Sequence, residues 1–168
     1  MKNKEFTIYR SDMKLTENEI QALRIGEETE EETINRVDVE RNTAMKRLLS
    51  CPISKGRFVV TGYLNNGERK GSLCPTVFDG INPAITFCNT AGKSTEYEVV
   101  YKNGNLIVKT HGPNHNESDF TIRLLSSKGK AVLMETKSGT AMNEIYSPKD
   151  YMFRKISANY ILPEINVF

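Results

Sequence analysis

Both histidines of the chain fall in one short stretch, His111-Gly-Pro-Asn-His115-Asn-Glu117-Ser-Asp119, beside two carboxylates. Imidazole and carboxylate together could move protons near neutrality or ligate a metal. Yet two histidines four apart share a face only on a helix, and Gly112-Pro113 forbids a helix here. The stretch therefore reads as a solvated hairpin loop, with no catalytic residue and no metal ligand assigned. Ala91-Gly-Lys-Ser94 imitates the end of a phosphate-binding loop, but the glycine needed five residues before Gly92 is Phe87. Such a loop must also open a helix, so that amides and dipole converge on the phosphate, and here a strand pattern follows. Cys51, Cys74 and Cys88 form an odd, widely spaced set without a C-x-x-C pair. That excludes a disulfide framework and a structural zinc site and is read as free thiols in a reducing compartment. No cofactor is expected, and an enzyme is disfavoured.

The elements that would position a site change character at Ser50-Cys51-Pro52. Ahead of it, Phe6–Tyr9 forms a short edge strand or arm. Thr16-Glu-Asn-Glu19 and Thr29-Glu-Glu-Glu32 are two capping boxes, each at the head of a helix. The second helix carries a thin stripe at Ile34, Val37, Arg41, Ala44, Met45 and Leu48, interrupted by Arg41, so it should lie on something rather than pass through it. Pro52 ends it. Residues 1–50 hold 9 Lys/Arg against 11 Asp/Glu and residues 51–168 hold 14 against 10, a weakly basic body with an acidic appendage inside a net charge of +2. Neither value approaches the basic field that nucleic acid demands.

From Arg57 the period becomes two. Phe58, Val60 and Leu64 oppose Val59, Thr61 and Tyr63 before Asn65-Asn-Gly67. Gly71–Phe78 and Ala84–Asn89 read as weaker strands, and Tyr97, Val99 and Tyr101 lead into Asn103-Gly104, the strongest local hairpin signal. Leu106 and Val108 return; Phe120, Ile122 and Leu124 follow. After a Ser127-Lys-Gly129 turn come Val132 and Met134, then Ile145-Tyr146 and Tyr151–Ile156. Sequential hairpins without helices between them predict an antiparallel meander that closes on itself. The expected fold is mainly β (α+β): an up-and-down antiparallel barrel of about eight strands. Its divisions are a helical arm over 1–50, the barrel over 51–157 and an extended tail over 158–168. In strand number and order this outline resembles the lipocalin-like barrels. The glycine–tryptophan signature of that family is absent, since the chain has no Trp, and no residue role is carried over.

An eight-stranded interior can be filled or can hold one small ligand. The lining would be Phe58, Val60, Tyr97, Val99, Tyr101, Val108, Phe120, Ile122 and Met134. The tyrosine hydroxyls need partners if buried, which a polar ligand group would supply. Two functions are expected from this. The first is a non-enzymatic barrel binding a lipophilic or amphipathic small molecule inside. The second is an interaction module contacting a protein partner through the arm, Thr16–Leu49, or the barrel rim. Lys109, Arg123, Lys128, Lys130 and Lys137 are read as outward-facing solubilising lysines and arginine rather than as a nucleic-acid surface. No apolar run reaches the ~18 residues of a membrane span, and the opening residues lack a signal peptide's apolar stretch. The expected location is therefore cytoplasmic, with no membrane partner.

Overall fold

Both capping boxes start helices where the sequence places them. In the computed structural model, which describes residues 4–11, 15–94, 96–126, 134–135, 144–146, 153–156 and 162–168, helix α1 spans Glu17–Leu23 and α2 spans Glu30–Ser50. The Thr16 hydroxyl accepts from the Glu19 amide at 3.2 Å and the Thr29 hydroxyl from Glu32 at 3.1 Å. Each glutamate reaches back to its own cap, so two otherwise unsatisfied amides per helix are bonded. A single 3-10 turn, Pro52–Lys55, links α2 to the sheet.

The strands are β1 (Glu5–Arg10), β2 (Arg57–Asn65), β3 (Lys70–Asp79), β4 (Glu96–Lys102), β5 (Asn105–His111), β6 (Glu117–Ser126), β7 (Met134–Glu135), β8 (Glu144–Tyr146) and β9 (Phe153–Ile156). Six of them pair antiparallel in the order β1-β4-β5-β6-β2-β3; a parallel step from β3 to β8 then continues the sheet to β9 and β7. The Asn103-Gly104 hairpin forms as read, with φ +49° and +85° at its two central residues. Strands β1 and β7 are the two edges and do not pair with each other among the described residues. The sheet is open, and the closed barrel of about eight strands is not what forms.

One reason is local. Ala84–Asn89, read as a strand, lies within helix α3, Ile81–Gly92. Its buried residues Ile81, Ala84, Ile85 and Cys88 recur at helical spacing, and Pro83 falls in the first turn, where the missing N–H has no intrahelical role. The helix lies on the face of the sheet that a barrel would have kept as its lumen. The main core gathers Phe58, Val60, Val99, Leu106, Val108, Phe120, Ile122 and Leu124 from the sheet, Ile81, Ala84, Ile85 and Cys88 from α3, and Leu48 from α2. Ile165 also joins it from the C-terminal segment. On the opposite face a small second cluster, Val59, Val77 and Leu125, is covered by Leu162.

The first strand is not part of a separate arm. β1 pairs with β4 from Glu5↔Lys102 to Arg10↔Glu98, with an irregularity between Thr7 and Tyr9. The Ser127-Lys-Gly129 turn, Lys128, Lys130, Val132, Lys137, Tyr151 and the side chain of Met134 lie outside the described residues. No described helix is long and apolar enough to cross a membrane.

Candidate functional site

Of the residues read as a ligand lining, those whose side chains are described come together in the main buried cluster. Phe58, Val60, Val99, Val108, Phe120 and Ile122 are all 0% exposed and Tyr101 is 4% exposed. Tyr97 packs at the edge of the same cluster, its ring centroid 5.6 Å from that of Tyr9. The Tyr101 hydroxyl has a partner from the chain itself: it donates to the Ile165 carbonyl at 2.8 Å. Phe6 stacks on the Tyr101 ring at 5.3 Å and Phe168 meets it edge-on at 5.1 Å. Ile165 is held in turn by its amide donating to the Gly104 carbonyl at 2.7 Å. Burial, and then the Glu164 charge, push the Tyr101 phenol up from its ordinary value.

The histidine stretch is shorter as a loop than the sequence suggests, because His111 ends β5 and Glu117 opens β6, directly opposite it. His111 Nδ1 lies 3.1 Å from Glu117 Oε1. The intervening turn closes on itself through the Gly112 amide donating to Asn116 O at 2.7 Å and Asn116 Nδ2 donating to Pro113 O at 2.8 Å. The His115 side chain lies outside the described part. Gly92-Lys-Ser94 sits at the C-terminal end of α3, where carbonyls rather than free amides face outward. Lys93 is its left-handed cap, and the Lys93 ammonium pairs with Glu68 at 2.5 Å. A phosphate would meet the wrong end of the helix dipole there. All three thiols are free; burial pushes Cys88 well above the ordinary thiol range. Among the described residues no group of three or more His, Cys, Asp or Glu could hold a metal ion.

Two of the grooves formed by described residues stand out, and neither is lined by the predicted set. One, about 350 Å³, lies on the outer sheet face between Glu5, Val100, Lys102, Ile107, Lys109, Asp119 and Thr121. Its two acids offset its two lysines, which denies it the field of a nucleic-acid surface. Arg123 is on the same face, donating to the Thr61 hydroxyl at 3.0 Å.

The second groove, about 590 Å³, runs between β1 and the two arm helices. Phe6, Ala22, Leu23, Val37 and Ala44 give it an apolar floor; Glu5, Glu19, Glu40 and Arg41 supply charge. Its geometry is fixed by one arginine. Arg10 Nε donates to Glu98 Oε2 at 2.9 Å, and its other two nitrogens meet Glu19 at 3.0 and 2.7 Å. Glu19 is also the carboxylate of the α1 capping box. One side chain therefore ties the start of α1 to both β1 and β4. The Arg10 hydrogen bond holds the Glu19 carboxyl below its ordinary value of 4.5.

That shift fixes the sign of a pH effect. A depressed folded-state value stabilises above the unfolded value and the contribution disappears as pH falls through the folded one. Glu19→Gln is thus expected to be less stable than the parent near neutrality, with the gap closing as pH drops below about 4.5. Urea midpoints at several pH values check this; a gap that stays constant down to acid would contradict it.

The sequence carried one sign of this groove: Arg41 breaking an otherwise apolar stripe. What it could not show was β1 lying beside α2. Compared with known proteins, the chain matches no family model, no curated protein and no solved structure.

Proposed function

We propose that the chain is a non-catalytic binding protein for an amphipathic small molecule, taken in the groove between β1, α1 and α2 rather than inside the sheet. The observation that carries this is the contrast between two surfaces. The face of the sheet that carries the main core is occupied by α3 and by Ile165, Val167 and Phe168, whereas the arm groove is open, has an apolar floor and is of a size that holds small ligands. Convergent polar groups at one end of an apolar cleft are the usual pattern of such sites.

Ala22 is an exposed wall residue of the groove, so Ala22→Trp fills it without touching the core. Isothermal titration with decanol is expected to give one-to-one binding to the parent. The variant should bind roughly tenfold or more weakly, the worth of about two buried methylenes. Equal binding to both proteins, or none to the parent, removes this reading.

A protein partner on the arm is the second reading, and a separate observation favours it. Of the five large apolar side chains exposed among the described residues, Leu23 (37%), Ile25 (61%), Val39 (64%) and Leu49 (40%) are on the arm, with Tyr63 the fifth. Val39 and Ile25 do not line the groove, so this reading has its own variant, Ile25→Ser with Val39→Ser. A partner recovered by the parent and lost by that double variant supports it; a partner recovered equally by both does not.

A further inference from the structure

We propose that the ligand of this groove is an amphipathic anion, one carboxylate or phosphate head on an apolar chain, and that Arg41 holds the head. This rests on the groove reading above and adds the charge and orientation of the ligand. Arg41 lies on α2 between Val37 and Ala44, four residues after the first and three before the second, so all three share one face of the helix. That face lines the groove. Arg41 is only partly exposed. A guanidinium offers five N–H donors and keeps its charge, so withdrawing it from water without an acceptor is unfavourable.

Among the nearby carboxylates Asp38 and Glu5 make no ion pair with Arg41, and the others are engaged elsewhere. Glu98 and both oxygens of Glu19 are taken by Arg10, Glu19 serves the Thr16 amide as well, and Glu40 pairs with Arg36 at 3.2 Å. Among the described residues Arg41 is left without a hydrogen bond or ion pair. Burial and then the adjacent Arg10 charge push the guanidinium below its ordinary value, against the opposing charges of Glu19, Asp38 and Glu98. A carboxylate or a phosphate monoester matches the planar fork with two parallel hydrogen bonds.

The rest of the groove decides what the anion must carry. Phe6, Ala22, Leu23 and Val37 beside the fork would cover an alkyl chain. Glu5, Glu19 and Glu40, which also line the groove, repel anions. A free inorganic anion meets that repulsion without the apolar compensation. The site is therefore built for head and tail together.

The test is titration of the parent, Arg41→Gln and Arg41→Lys with decanoate, decyl phosphate, decanol and inorganic phosphate, all below micellar concentrations. For the parent, decanoate or decyl phosphate should bind roughly ten- to a hundredfold tighter than decanol, with inorganic phosphate weakest. Which of the two anions leads identifies the head. Arg41→Gln should bring the anions down to the level of decanol and leave decanol within about twofold; Arg41→Lys, a point charge without the fork, should retain part of the preference. Melting of Arg41→Gln should occur at or above the parent temperature, because an unpaired partly buried charge is removed. A clear drop in melting temperature would show that Arg41 serves a structural partner and would overturn the proposal. So would a parent without preference for the anion, or a full preference surviving in Arg41→Gln. If anions and decanol alike fail to bind the parent, the groove reading falls and this proposal with it. If both bind equally well, only the head-group assignment falls.

Discussion

Alanine at Gly62 is expected to destabilise the fold by about 3–5 kcal/mol, read from the urea midpoint. Gly62 lies on β2, the strand paired on one side with β3 and on the other with β6, at an irregularity between Val60 and Gly62 and directly opposite Phe120. A Cβ there would stand 2.2 Å from the Asp119 carbonyl oxygen and 2.8 Å from the Phe120 Cα. Both are backbone atoms of the neighbouring strand and cannot swing away as a side chain could. Relief requires β6 to move, and Phe120, Ile122 and Leu124 move with it, three residues of the main core. Gly71 supplies the control. Its φ is +149° against +155° for Gly62, but a methyl at Gly71 would meet nothing within 4 Å. Gly71→Ala therefore carries the backbone penalty alone, about 1–2 kcal/mol. Equal costs at the two positions would show that β2 and β6 are not packed this closely.

The legible parts of the fold were those decided by a few adjacent residues. Thr16/Glu19 and Thr29/Glu32 announce their helices because each capping box is a complete hydrogen-bonding unit within four residues. Asn103-Gly104 announces its hairpin because both central residues must take positive φ. Ile81–Gly92 misleads for a related reason. Its β-branched and aromatic residues and the Asn82-Pro83 pair resemble a strand bounded by a turn, while the helical recurrence of Ile81, Ala84, Ile85 and Cys88 spans only two turns. Packing against the sheet settles that contest, and packing is not written locally. The same segment accounts for the open sheet: a helix set on the face that carries the main core removes one strand from the series and fills the space a barrel would enclose. The groove was half legible. Arg41 marks a helix face that is not wholly core, but the other wall is β1, brought there by pairing with β4 nearly a hundred residues later. Long-range antiparallel pairing of that kind depends on which edge is left free, and no local pattern records it.

Phe120→Ala is expected to cost about 3–5 kcal/mol, and it separates a filled interior from a ligand chamber. Phe120 is wholly buried on β6, paired with Val108 on one side and with Gly62 on the other. Truncation removes a large apolar group from a close-packed region that can relax only if β2 and α3 both shift. The hole left behind falls within the main apolar cluster and is expected to stay dry, and a dry apolar cavity of that kind admits a small aromatic solute. Benzene should then raise the melting temperature of Phe120→Ala by more than that of the parent, by mass action on the folded state. Ile122→Val, expected to cost about 0.5–1.5 kcal/mol, serves where the larger truncation does not fold. Neither core change should alter decanoate binding in the arm groove beyond about twofold, since Phe120 and Ile122 do not line it. A Phe120→Ala protein as stable as its parent, with decanoate binding lost, would mean the opposite arrangement: a chamber already open inside the sheet, and the ligand in it.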